Sequence, residues 1–355
     1  MRGVDLVLRK IIILLLSMII CVFTVNTTNL LAIMKSSIAK DEPITLTDDI
    51  ITYNIPTKTD DISDVTQQIA EEDVNVTDYG VKGDGITDDT YKIQNAINYV
   101  SSKGGGTVYI PDGTYIIDPD ISLKLKSNIR LLLSENTILK ASSSSEEYYN
   151  ILLILNATNV QIAGGKIVGD RYIHSGTTGE WGSGISILGS TNVSISDISI
   201  CDCWGDGIYI GSSWDGTSDY QNYSDNINIE NFHIFNNRRQ GISVISAKNL
   251  TIRDGEVSNS NGTRPEAGIN LEPNNSEEFL QNVLIDNVMT RDNSRIGILV
   301  SLPTYNGSLN VLSVTINNHN DIGSPYPISY YRYYESDTCK ITVYGTDPHN
   351  ITSFY

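Results

Sequence analysis

A motif that returns along the chain restricts its fold more than any property of its composition. The lines NVQIAG (159–164), NVSISD (192–197), NINIEN (226–231), NLTIRD (249–254) and NVLIDN (282–287) superimpose. Each opens on Asn, places apolar residues second and fourth, and reaches Gly, Asp or Asn at the sixth position. A second series follows the first: GISI (184–187), GIYI (207–210), GISV (241–244), GINL (268–271) and GILV (297–300). The opening asparagines lie 33, 34, 23 and 33 residues apart. Strands this short cannot bury an apolar face alone, so they must stack on copies of themselves. Stacking at about 4.8 Å aligns equivalent residues in columns. Val193 and Ile195 then lie over Ile227 and Ile229, and over Leu250 and Ile252. The sixth-position residues fall at corners, where Asp and Asn tolerate left-handed backbone. The expected fold is all-β, a right-handed parallel β-helix.

The rest of the chain organises around this unit. Thr87-Asp88-Asp89 followed by Ile93, Ala96, Ile97 and Val100 reads as a capped amphipathic α-helix. Placed before the first coil, it covers an end that would expose unpaired strand edges. The β-helix domain is expected over 74–325, with a C-terminal segment at 326–355. Residues 40–73 are acidic, lack periodicity and read as a linker. The apolar run Ile11 to Val25 follows Arg9-Lys10 and precedes Ser37-Ile38-Ala39. That order suits a secretory signal over 1–39, with an uncleaved N-terminal anchor as the alternative. Either way the folded part is expected to be secreted or held at the cell surface.

The full chain carries a charge of −18; removing 1–39 takes away four cations and one acid and leaves −21. Nucleic acid and anionic lipid are therefore not expected partners, since both need a basic face. Membrane contact is expected only through the N-terminal segment. Three cysteines, Cys201, Cys203 and Cys339, lie outside that segment, so no disulfide framework holds the fold. They read as packing residues rather than metal ligands.

The stretch NVTDYGVKGDGITDDTYKIQNAINYVSSKGGGTVYIPDGTY (75–115) resembles the opening segment of the pectate-lyase-like β-helix superfamily. With the coils, the resemblance spans roughly residues 75–320. It implies the fold; this fold hosts hydrolases, lyases, epimerases and non-enzymes. Within the repeats, WGDGIYIG (204–211) looks like the Asp-Gly-Ile line of polygalacturonases, and Asp206 matches the acid that acts in their catalysis. The next coil of that family carries an Asp pair, where this chain has Asn236-Asn237-Arg238-Arg239-Gln240. The Gly-His-Gly segment of that family has no counterpart either.

The loops flanking the Gly-Ile strands recur on two sides of the solenoid and form two walls. One holds Trp181, Asp202, Trp204, Asp206, Arg238 and Arg239; the other holds Trp214 and Glu272. Between them runs a floor of Ser186, Tyr209, Ser243, Asn270 and Leu299. Such a groove suits a polysaccharide, with aromatic rings against C–H faces and polar groups on the hydroxyls. The candidate catalytic residues are Asp206, Asp202, Glu272 and Arg239. Substrate-binding candidates are Arg238, Trp204, Trp214, Tyr209, Asn270 and Trp181. Asp202 also belongs to a corner column with Gly169, Asn236, Asn259 and Asp292, which gives it a structural alternative. A glycoside hydrolase would pair Asp206 with Asp202 or Glu272 and need no cofactor. A lyase or epimerase on uronates would use the arginines, with Ca²⁺ held by Asp202 and Asp206. A non-catalytic glycan-binding surface uses the same groove without chemistry.

Overall fold

The computed structural model describes residues 73–213, 222–275, 277–303, 312–336, 338–346 and 351–354. The expected N-terminal signal or anchor and nearly all of the acidic linker lie outside these residues, as does Trp214. Within them the chain forms a 15-stranded sheet and a nine-stranded sheet. The ladders are parallel, as stacked coils require; the antiparallel pairs are two isolated bridges, Ser213 with Asn222 and Ser336 with Cys339.

The 15-stranded sheet contains the Asn-initiated lines. Val160, Val193, Ile227, Leu250, Val283, Val314 and Ile341 align in register through successive coils. Most of this column is buried, as is the neighbouring one through Ile162, Ile195, Ile229, Ile252 and Ile285. Burying a Val or Ile side chain is worth roughly 1.5–3 kcal/mol, so the stacked columns are the main source of stability.

The corner residues adopt the left-handed backbone expected of them. Asp197, Asn231, Asp254 and Asn287 have φ between 51° and 55°. The opening asparagines Asn159, Asn192, Asn226, Asn249 and Asn282 are left-handed too, a feature their sequence position did not disclose. Their side chains form a ladder: Asn192 donates to Asn159 at 3.0 Å, Asn226 to Asn192 at 2.7 Å and Asn282 to Asn249 at 2.8 Å.

The helix runs Thr90–Ser102 and buries Ile93, Ala96, Ile97 and Val100 against the first coils. Its cap differs in detail from the expected one. Asp88 accepts from the Thr90 amide at 2.9 Å, whereas Asp89 turns back to the amides of Lys82 and Gly83, each at 2.8 Å. Asp89 is thereby a buried clamp on the opening loop rather than a helix cap. No helix among the described residues is long and apolar enough to cross a membrane.

The nine-stranded sheet carries the Gly-Ile lines in the strands Trp181–Leu188, Ile208–Gly211, Ile242–Val244, Ala267–Leu271 and Ile296–Ser301. The glycines of these lines stack on one another. A Cβ on Gly184 would meet the Gly207 carbonyl at 2.7 Å, and the same 2.7 Å contact repeats from Gly207 to Gly241, Gly241 to Gly268 and Gly268 to Gly297. The residue is needed for close approach of coil to coil. Both sheets continue past residue 325 through Tyr326–Tyr331, Cys339–Tyr344 and Ile351–Phe354, so the solenoid extends into the expected C-terminal segment.

Candidate active site

The expected groove floor falls on the outer face of the nine-stranded sheet, where Tyr209 is half-buried and Ser186, Ser243, Asn270 and Leu299 are buried. Its pairings place Lys124, Leu153, Ser186, Tyr209, Ser243, Asn270, Leu299 and Ser329 in one outward column. Asp206 precedes this floor in the next row. The Gly184 amide donates to its carbonyl at 3.0 Å, and the Gly207 amide donates to the Gln240 carbonyl at 3.0 Å.

Asp206 is 1% exposed. Its Oδ2 accepts from Arg239 Nη1 at 2.9 Å and from the Ser243 hydroxyl at 2.7 Å. Among the described residues its Oδ1 has no hydrogen-bond partner, and neither do Gln240 Nε2, Asn270 Oδ1 and Arg239 Nε. Burial pushes the Asp206 carboxyl above the usual range; the Arg239 charge and the Ser243 bond pull it partly back, and Glu180 adds to the rise. Ser243 also lies 2.8 Å from Gln240 Oε1. One hydroxyl proton cannot serve both acceptors. Both contacts are satisfied when Asp206 is protonated, or when the Gln240 amide turns its NH₂ toward the hydroxyl.

Arg239 joins three acids. Its Nε lies 3.8 Å from Glu180, and its guanidinium also feels Glu272. Burial opposes its charge, but Asp206, Glu180 and Glu272 outweigh that and hold its pKa above the ordinary value. Glu272 accepts from Asn270 Nδ2 at 2.8 Å and from the Ser301 hydroxyl at 3.2 Å. Glu180, just before the strand Trp181–Leu188, is a member that sequence reasoning missed. Nothing in the repeat marks it, because its loop has no equivalent in other coils.

The other candidates separate from this cluster. Asp202 has left-handed backbone, φ 59°, and accepts from Asn236 Nδ2 at 2.5 Å and from the Cys201 thiol. Asn236, Asn259 and Asp292 share that conformation, so Asp202 sits in the corner stack with a partner set distinct from that of Asp206. Arg238 turns away from its neighbour. It lies 3.7 Å over the Trp204 ring and donates to the carbonyls of Gly179 and Trp204. His174 stacks on the same ring at 3.9 Å. Two groups this near one centroid must occupy opposite faces, which leaves Trp204 no face for a sugar. His174 is held in turn by Asp170 at 2.8 Å, and Asp170 accepts from Tyr149. Arg238→Ala is therefore expected to cost about 1–3 kcal/mol of stability through lost packing and two unpaired carbonyls. Glycan affinity measured at a temperature where the variant is folded should stay unchanged.

Beside the cluster, Tyr148, Trp181, Ser183, Ser186, Leu188, Tyr209 and Ser212 line a concavity of about 290 Å³. Tyr148 and Trp181 are adjacent in register and exposed. Burial, and then the charge of Asp206, raises the Tyr209 phenol above its usual pKa. A larger open concavity, about 550 Å³, lies at the bend of the other sheet around Asp197 and Asp254. Asp197 and Asp254 accept there from the side chains of Asn231 and Asn287 as part of the corner stacks. Among the described residues no group of three or more His, Cys, Asp or Glu is placed to hold a metal. Cys201, Cys203 and Cys339 are free and buried.

Residues 73–152 match the family described as rhamnogalacturonase A/epimerase, pectate lyase-like. The chain is 31% identical over 260 residues to the uncharacterized protein YclG of Bacillus subtilis, covering 67% of this chain and 44% of that one. It is 26% identical over 262 residues to the mannuronan C5-epimerase AlgE2 of Azotobacter vinelandii, covering 65% of this chain and 26% of the epimerase. It thus spans less than half the length of either. The solved tailspike gp49 of Acinetobacter baumannii bacteriophage Fri1, a capsular polysaccharide depolymerase, superimposes with a TM-score of 0.61 at 17% identity, over 78% of this chain and 51% of that one.

Proposed function

The chain belongs to the pectate-lyase-like superfamily of right-handed parallel β-helix proteins, and from that premise we propose that it binds a polysaccharide across its nine-stranded sheet and hydrolyses a glycosidic bond there. Asp206 carries the proposal. The coil architecture does not require an acid at this position, since Ser183, Gln240, Ala267 and Ile296 are its equivalents. Yet the carboxyl is buried, its pKa is raised, and one oxygen is unpartnered. A carboxyl whose pKa is raised by burial keeps its proton to higher pH than an ordinary one, which suits donation to a departing sugar oxygen. Glu180 or Glu272 is the second carboxylate that hydrolysis needs. Tyr148, Trp181 and Tyr209 offer rings to the sugar faces.

A second reading, a lyase or epimerase on uronates, is favoured by the activity named for the Azotobacter relative and by Arg239 within the cluster. Incubation with a polysaccharide panel separates them. Reducing ends without a rise in absorbance near 235 nm support hydrolysis, both signals together mean elimination, and neither supports a binding surface. The proposal includes export. N-terminal sequencing of secreted material is expected to begin near Lys40, and membrane-bound material that keeps Met1 would make residues 1–39 an anchor.

A further inference from the structure

Resting on the reading that the nine-stranded sheet carries the substrate groove, we infer that the groove selects neutral sugar residues and rejects uronates and other anionic ones. The charge around Asp206 supports this. The groups acting on Arg239 and Tyr209 include the carboxyls of Asp206, Glu180, Glu272 and Glu278. Against these four acids stand two guanidinium groups, that of Arg239 and, near Glu180, that of Arg238, so the acids outnumber the cations.

The Arg239 guanidinium is already countered by acids of this chain. Its Nη1 is bound to Asp206 at 2.9 Å, and its Nε faces Glu180 at 3.8 Å. Arg238, the other cation of this loop, lies on Trp204 and is bound to two backbone carbonyls. The unpartnered atoms of the cluster, all buried, are Asp206 Oδ1 and Asn270 Oδ1, both acceptors in the ionised site, and the donors Gln240 Nε2 and Arg239 Nε. The two acceptors match hydroxyl donors, not carboxylates. The adjoining concavity repeats the pattern, with Tyr148, Trp181, Leu188 and Tyr209 beside the hydroxyls of Ser183, Ser186 and Ser212. Ring faces and serines match an uncharged pyranose, whose cost of desolvation is far below that of a carboxylate.

The test compares neutral glycans with the same polymers oxidised at C6 to uronic acids, using the full chain and affinity electrophoresis. For whichever backbone binds, the neutral form is expected to bind at least about tenfold tighter than its oxidised counterpart at low salt. The ratio should narrow as added salt screens the repulsion. Glu278→Gln, which removes one charge outside the candidate catalytic pair, should narrow it as well. Equal or tighter binding of the oxidised form overturns the inference. A Tyr148→Ala, Trp181→Ala double variant tells which premise has failed. Undiminished binding in that variant means the groove is not the substrate site. Weakened binding together with a preference for the oxidised polymer rejects only the charge argument.

Discussion

Asp206→Asn is expected to lower turnover on a cleaved polysaccharide by roughly two to four orders of magnitude, the range for losing general acid–base assistance. The coil equivalents Ser183, Gln240, Ala267 and Ile296 suggest that the position tolerates many side chains, and hence that stability would hardly change. The structure gives a different expectation. Asp206 is the closest counter-charge to a guanidinium that is itself only 12% exposed. Uncoupling a buried pair from one side typically costs about 3–5 kcal/mol. Glu180 and Glu272 remain near Arg239, so the loss should fall toward the lower end of that range. Activity must therefore be measured below the variant's lowered melting temperature. A second variant, Asp206→Asn with Arg239→Gln, removes the stranded charge and should recover much of the stability without recovering turnover. Full activity in the single variant would exclude Asp206 from the chemistry.

The pH dependence follows from the direction of the shift. The Asp206 carboxyl titrates above 3.8 in the folded protein, so in the window above 3.8 the native state holds a proton that the unfolded chain has lost. This group's contribution to stability is complete below that window and declines as pH rises through the folded pKa. The same proton is the one a general acid needs. The alkaline limb of kcat/KM should therefore follow Asp206 and disappear in Asp206→Asn.

The second large effect is expected at Gly241. Its added Cβ would lie 2.0 Å from Val257 Cγ1 and 2.7 Å from the Gly268 carbonyl. The side chain can turn aside, but the carbonyl belongs to the next coil and is fixed by the ladder on both sides. Gly241→Ala is expected to destabilise the fold by about 3 kcal/mol, the upper part of the usual cost of overpacking. Gly211 provides the contrast. Its Cβ would approach no closer than 3.2 Å, to a Tyr209 ring carbon that can shift. Thermal melts of the two alanine variants should differ by several degrees, and equal melting would show that the coils can part at little cost.

The stacking of these coils was legible from the chain alone. Apolar residues at alternate positions bury only when identical lines lie above and below, so the repeat of NVSISD and GISI implied the two sheets, the core columns and the outward row of Tyr209, Ser243 and Asn270. The corner residues followed in the same way, because Asp and Asn at a sharp bend identify left-handed backbone. Asp206 was visible as an acid without a structural reason. Its partners were not. Arg238 and Arg239 are indistinguishable in the sequence, but they occupy a bend between two strands, where the local backbone sends neighbouring side chains in different directions. One therefore reaches Asp206 while the other lies on Trp204. Glu180 stands 26 residues before Asp206 in a loop with no repeat. Its place beside Arg239 is set by how one coil's loop rests on the next, where the Gly205 amide meets the Gly182 carbonyl at 2.7 Å. Periodic residues reveal their surroundings because every coil repeats them; contacts between unlike loops occur once, and packing alone establishes them.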